Sequence, residues 1–420
     1  MAKAGQAALV AAPKFASLSA TTPKDMTLTM TFDFDTPIDR RNTHSSKWDR
    51  IEQLYGVNPD TGLSMWTADM DYAAAPAITE ALAARVAHGV HGYFTNDRPY
   101  LEAMQGWMQR RHNWHLETDW VINCTGLVNA FAHCVQAYSE PGEGIIQFTP
   151  FYHSFAPVTR ANGREIVQIP MQNESGRYLL DMDALESRMS GRERVLAWCS
   201  PHNPGGRVWR VEELRQVADF CVKHDLILVS DEIHCDLVFP GHTHTPISNA
   251  APYIADRLVT LVSASKTFNI AGAEFGSAVI PNPELRRKFR AVYAANCTQT
   301  ALYGPLMAEA AFRHGDAWVD AVVQYLDGNR KFFEAGVSEI AGVQAMQVEA
   351  TYLSWVDFSG TGMSQDEIHR RIAKDAGIAA SSGPSFGPGG ENFMRFNFAM
   401  TRANIAEAVA RLQDAFRDLQ

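Results

Sequence analysis

The chain has 420 residues, with 37 basic against 47 acidic side chains and a net charge of −10. That length exceeds one compact core, since domains run about 100–200 residues, and 46% hydrophobic with 20% charged residues excludes a largely disordered chain. The acidic balance, without a run of basic residues or an apolar stretch near the roughly 20 residues a bilayer needs, argues against nucleic acid and membrane as partners.

In chain order, residues 1–30 are rich in Ala, Ser, Thr and Pro, and their apolar run at 7–12 is short for a signal-peptide core, so they read as a disordered tail. Residues 76–88 place Ile78, Leu82 and Val86 on one helical face, and a second helix is predicted over 99–113. Short apolar runs follow: VINC (121–124), GIIQFT (144–149), EIVQI (165–169), RVLAWC (194–199), LILVSD (226–231) and LVTLVSA (258–264). Helix-period segments such as 211–225 separate most of them. Such alternation predicts an α/β domain, a mostly parallel sheet flanked by helices. Beyond about 315 come a long helix (316–341), TYLSWVDF (351–358), a helix near 365–376, a Gly/Pro/Ser loop (381–392) and the strand-like FMRFNFA (393–399). A last helix is striped by Ile405, Val409, Leu412, Phe416 and Leu419. These predict a smaller C-terminal α+β domain. The expected division is a tail over 1–30, an N-terminal arm over 31–75 packing on the small domain, a large domain over 76–315 and the small domain over 316–420.

The cysteines at 124, 134, 199, 221, 235 and 297 form no C-x-x-C pair, and several sit inside apolar runs, which predicts buried reduced thiols in a cytoplasmic protein. Histidines at 88, 91, 112 and 115 and the exposed-looking GHTHT at 241–245 lack metal-ligand spacing, so no metal is expected. There is no dinucleotide fingerprint and no phosphate loop; the single G-x-S-x-G, Gly383 to Gly387, lacks a later histidine and reads as chance.

Three places stand out because each follows an apolar strand, where open parallel sheets bind ligands. In Ser200-Pro-His-Asn-Pro-Gly-Gly206 the prolines and glycines fix a turn that could aim Asn203 into the crevice. Asp231 ends LILVSD, and a carboxylate ending a buried strand is costly unless it meets a cation, a helix end or an ion pair. Lys266, in SASKTFN, alone among the lysines sits amid small hydroxyl and apolar residues at a strand end, which suits a lowered pKa and Schiff-base chemistry. A lysine to hold an aldehyde and a carboxylate to keep a pyridine nitrogen protonated together point to pyridoxal 5′-phosphate.

The order PHNPGG, DEIH, SASKTFNIAG and the arginine of FMRFNFA resembles the fold-type-I pyridoxal phosphate enzymes, the aminotransferase superfamily. FDFDTPIDRRNTHSSKWD (32–49), MWTADMDYAAAP (65–76) and HGVHGYF (88–94) resemble more specifically the carbon–sulfur β-lyases of the cystathionine β-lyase type. The resemblance implies Lys266 as the Schiff-base lysine and proton shuttle, and Asp231 at the pyridine nitrogen. It places Asn203 and His234 at the phenolate oxygen and Tyr152 stacked on the ring. The phosphate would meet Gly126 and Leu127 at a helix N-terminus, with Ser263 and Ser265 adding hydroxyls and Tyr93 reaching it from the neighbouring subunit of a homodimer. Arg395 would clamp the substrate carboxylate. One departure is Glu274, where many aminotransferases carry a phosphate-binding arginine.

The resemblance implies β-elimination from an S-substituted L-cysteine, giving thiol, pyruvate and ammonia. Transamination shares every site residue and stands as the alternative. A non-enzymatic regulator on this fold would carry an additional basic DNA-binding domain, which nothing in the sequence supplies.

Overall fold

Seven strands make the main sheet of the computed structural model, which describes residues 32–419; the tail expected over 1–30 lies outside the described residues. They are β1 (Val121–Cys124), β2 (Gly144–Thr149), β3 (Glu165–Pro170), β4 (Glu193–Cys199), β5 (Ile227–Asp231), β6 (Leu258–Val262) and β7 (Gly276–Val279). Their order across the sheet is β1-β7-β6-β5-β4-β2-β3. Ladders β6-β5-β4-β2-β3 are parallel, as expected, while β7 runs antiparallel to both neighbours. The sequence reading overlooked β7, because GSAV is short and carries one strongly apolar residue.

Side chains alternate between two buried faces, which is why these strands read as continuous apolar runs. Ile146, Leu196, Trp198 and Leu228 pack on one side with Leu214, Val217 and Cys221 of the helix Val211–Lys223. Ile145, Val195, Ala197 and Val229 pack on the other with Ala130, Phe131, Cys134 and Val135 of the helix Leu127–Tyr138. Each such large aliphatic side chain contributes about 1.5–3 kcal/mol on burial.

A second, antiparallel sheet holds β8 (Gln344–Ala345), β9 (Leu353–Asp357), β10 (Ser381–Ser382) and β11 (Phe393–Asn397), in the order β8-β9-β11-β10. The helix Asp316–Ser338 precedes it and Arg402–Ala415 follows, burying Ile405, Ala408, Val409 and Leu412. The described residues from Asp33 onward hold together as one unit by their contacts.

Several local expectations differ. Val86 is 61% exposed, because Pro76–His88 buries only Ile78 within the chain. The helix near 365–376 is α-helical over Gln365–Arg370 and turns into a π-helix over Arg371–Asp375. His244 of the GHTHT segment is buried, with Nε2 2.9 Å from Glu232, a buried carboxylate that needs a polar partner. Cys297 is exposed, unlike the other cysteines. Among the described residues no helix is long and apolar enough to cross a membrane.

Candidate active site

Three neighbouring strands deliver the central residues to one edge of the main sheet. Cys199 of β4 lies opposite Asp231 of β5, and Asp231 lies opposite Leu261 of β6. The turn after β4 carries Asn203, β5 ends on Asp231, and the short helix Ala264–Thr267 after β6 carries Lys266. Adjacent strands lie about 4.8 Å apart, so the intervening β7 sets the end of β1 roughly 10 Å from β6. There Gly126 (φ 81°) opens the helix Leu127–Tyr138, whose first turn receives no side-chain cap.

A cavity of about 400 Å³ joins these ends, lined by Gly126, Leu127, Tyr152, Asn203, Asp231, His234, Ser265 and Lys266. Burial pushes the Asp231 carboxyl up to about 7, against the pull of the Lys266 charge; its Oδ1 accepts from Ile233 N at 3.2 Å, and among the described residues no cation forms an ion pair with it. Burial also lowers Lys266 to about 8, with Asp69 and Asp231 raising it and Arg395 lowering it. Its Nζ donates to the Ala68 carbonyl at 2.7 Å. His234 is held neutral, its pKa lowered to about 3 by burial and by the Lys266 and Arg395 charges, and its Nδ1 has no hydrogen-bond partner.

Arg395, on β11, is 2% exposed and lowered to about 10 by burial. Its guanidinium donates to Asn203 Oδ1 (3.1 Å) and Trp66 O (2.8 Å) and lies over Phe386. Nε is unpartnered, and no carboxylate of the described residues pairs with it. A buried cation without a counter-charge is costly unless a ligand supplies one. Because Asn203 accepts through Oδ1, its amide N–H groups are left to donate into the cavity.

Three sequence candidates sit elsewhere or differently. Ser263 does not line the cavity; its Oγ lies 2.6 Å from Phe275 O and accepts from Ser265 N, which makes it the cap of the lysine helix. Tyr93, 98% exposed, lies on a separate broad groove with Asp97, Asn123 and Arg290. Glu274 lines the cavity with φ 44° and forms no ion pair among the described residues.

The sequence reading missed the wall residue Ala68, whose carbonyl accepts from the Tyr352 hydroxyl at 2.8 Å. It also missed Lys47, which has no exposed surface and pairs with Asp71 at 3.0 Å, so Lys266 is not the chain's lone unusual lysine. MWTADMDYAAAP served only as a family signature, since neither period nor spacing marks its backbone as a wall.

The residues present fit pyridoxal 5′-phosphate. The buried carboxyl of Asp231 lacks a cation such as a pyridinium N–H, a lysine of lowered pKa faces the same cavity, and an uncapped helix N-terminus suits a phosphate. The family profile for aminotransferase class I and II matches residues 63–412. Cystathionine β-lyase PatB of Bacillus subtilis is 38% identical over 91% of this chain and 99% of that protein. Cystalysin of Treponema denticola, whose crystal structure contains pyridoxal 5′-phosphate, superposes with a TM-score of 0.89 at 33% identity, covering 93% of this chain and 100% of that one. The pyridoxal phosphate-bound C–S lyase of Staphylococcus hominis gives 0.84 at 27%, covering 92% and 98%. Fold and site thus define a pyridoxal phosphate-dependent enzyme of fold type I. The chain belongs to the aminotransferase class I and II family, and its similarity to PatB, cystalysin and the Staphylococcus enzyme agrees with the carbon–sulfur β-lyase reading of the sequence.

Proposed function

We propose that this protein catalyses β-elimination from S-substituted L-cysteines such as cystathionine, releasing a thiol, pyruvate and ammonia. The observation that carries the reading is the convergence of Lys266, Asp231 and Asn203 on one cavity, with the unpaired Arg395 bonded to Asn203 behind it, in a chain similar to carbon–sulfur lyases. When bound, pyridoxal phosphate supplies an electrophilic aldehyde and a ring that withdraws electrons from the Cα of an attached amino acid.

The chain's own residues do the rest. Arg395 binds the substrate α-carboxylate bidentately and orients the Cα–H bond. Lys266, with its lowered pKa, takes the Cα proton and returns a proton as the thiolate leaves Cβ. Asp231, kept from solvent, holds a proton at the pyridine nitrogen by its negative charge. Asn203 donates a hydrogen bond toward the phenolate position, beside the neutral imidazole of His234. Tyr152 packs on the ring face, while Gly126, Leu127 and Ser265 offer N–H and O–H donors to the phosphate. Ser263 contributes by capping the Lys266 helix.

The working unit in this reading is a homodimer in which Tyr93 reaches the partner's phosphate. The almost fully exposed Tyr93, with Val86 and Val90 also exposed on the same stretch of chain, supports it. A reducing cytoplasmic location is supported by six free cysteines. Purified protein given L-cystathionine without a keto acid should form pyruvate and homocysteine continuously, and Lys266→Ala should form neither. Full activity of Lys266→Ala would overturn the site assignment.

A further inference from the structure

From Trp66 to Met70 every backbone carbonyl is held by a side chain. Arg395 takes Trp66 O, Asn397 takes Thr67 O and Asp69 O, and Asn269 takes Met70 O. Ala68 O, at the centre, accepts from Lys266 Nζ at 2.7 Å and from Tyr352 Oη at 2.8 Å. The strap is therefore tied to both the lysine segment and the carboxylate-arginine strand.

Its outer side is tied to the N-terminal arm by charge. Lys47 Nζ lies 3.0 Å from Asp71 Oδ2, 3.5 Å from Asp69 Oδ1 and 3.1 Å from Asp69 O. Arg40 bonds both carboxylates, at 2.7 Å to Asp69 and 2.7 Å to Asp71, and Trp48 Nε1 donates to Asp71 at 3.0 Å. Two cations and two carboxylates balance, which a buried cluster requires. Lys47 has no exposed surface, so its charge is not spent on solvent.

We propose that Lys47 and Asp69 are positioning residues for Lys266: through Asp69 and the Ala68 carbonyl, the arm sets where the free ε-amino group of Lys266 rests and how readily it releases its proton. The proposal rests on Lys266 being the reactive amine. The charges acting most strongly on that amine are Asp69 and Asp231, which favour its protonated form, and Arg395, which disfavours it; His234 and Tyr352 are neutral neighbours, and Tyr152 and Glu274 line the same cavity. Asp69 is the largest favourable charge on Lys266, and Lys47 and Arg40 partly neutralise it.

The two residues therefore have opposite signs. Removing the Asp69 charge lowers the Lys266 pKa; removing the Lys47 charge leaves the cluster net negative and raises it. Mere loosening of the strap would move both variants the same way.

The test uses cofactor-free full-length protein, trace-acetylated with acetic anhydride across a pH series, with the Lys266 peptide quantified by mass spectrometry against exposed Lys288. The expected result is a wild-type midpoint well below that of Lys288, a shift of roughly one pH unit downward in Asp69→Asn, and a comparable upward shift in Lys47→Met. Unmoved midpoints, or shifts of the same sign, overturn the proposal. If Lys47→Met does not fold, Asp69→Asn decides alone: a midpoint that stays or rises contradicts it. Borohydride reduction of the holoenzyme, followed by locating the cofactor on a peptide, tests the Schiff-base role of Lys266 separately, so the two readings fail independently.

Discussion

Asp231 and Arg395 are a carboxylate and a guanidinium, each buried without an ion pair among the described residues, and both gain a direct counter-charge from ligands in the proposed function. For Asp231 this has a consequence for stability. Burial raises its pKa from the ordinary 3.8 to about 7. The folded chain thus binds a proton more tightly than the unfolded chain, and the cofactor-free protein loses stability as pH rises between those values. Asp231→Asn removes that penalty, an upper bound on the order of 4 kcal/mol above neutrality. Thermal melts of cofactor-free protein should show the variant more stable than wild type at pH 8, with the gap closing near pH 4, while its turnover falls. A wild-type protein as stable as the variant at pH 8 would mean Asp231 has a partner inside the fold. Arg395→Ala should lower kcat/KM by roughly 100-fold, mainly through KM, because it holds a group that does not react. An unchanged KM in initial-rate kinetics would move the carboxylate site elsewhere. Glu274 lines the cavity without an ion pair among the described residues, and its carboxylate would repel the dianionic phosphate of the proposed cofactor, so Glu274→Gln should tighten cofactor binding in a fluorescence titration of the cofactor-free protein.

At the scale of elements, the strand ends were legible because an all-apolar run that stops at a polar residue marks both the strand and its exit. That is why Asn203, Asp231 and Lys266 could be found from sequence. β7 was not legible, yet it separates β6 from β1 and so spaces Lys266 from the Gly126 turn. Backbone carbonyls carry no residue signature, and for that reason the Ala68 wall and its Lys47 support escaped notice. The family resemblance implied a phosphate contact for Ser263, and in the fold its hydroxyl lies against Phe275 O and caps the lysine helix. The Gly126 turn has φ 81° and ψ 161°, a region open essentially to glycine alone, where a Cβ costs about 1–3 kcal/mol whatever space surrounds it. Gly126→Ala should weaken cofactor affinity about tenfold, read from the cofactor dissociation constant; unaltered affinity would remove this turn from the phosphate site.

For the whole molecule, the proposed dimer makes Tyr93 part of a site that its own chain does not form. Sedimentation should give twice the chain mass, and Tyr93→Ala should weaken cofactor binding while leaving that mass unchanged. A monomer with full cofactor affinity would contradict the shared site. The residues that bind and deprotonate an amino acid serve transamination as well as elimination, so the central claim turns on where the electrons of the Cα–H bond end. The direct measurement is the absorbance spectrum of purified holoenzyme after L-cystathionine is added without a keto acid, followed by pyruvate assay. Elimination gives pyruvate and thiol far in excess of enzyme, and the starting spectrum returns when substrate is consumed. A single stoichiometric conversion to the amine form of the cofactor, reversed only by adding a keto acid, would contradict it and make the protein an aminotransferase.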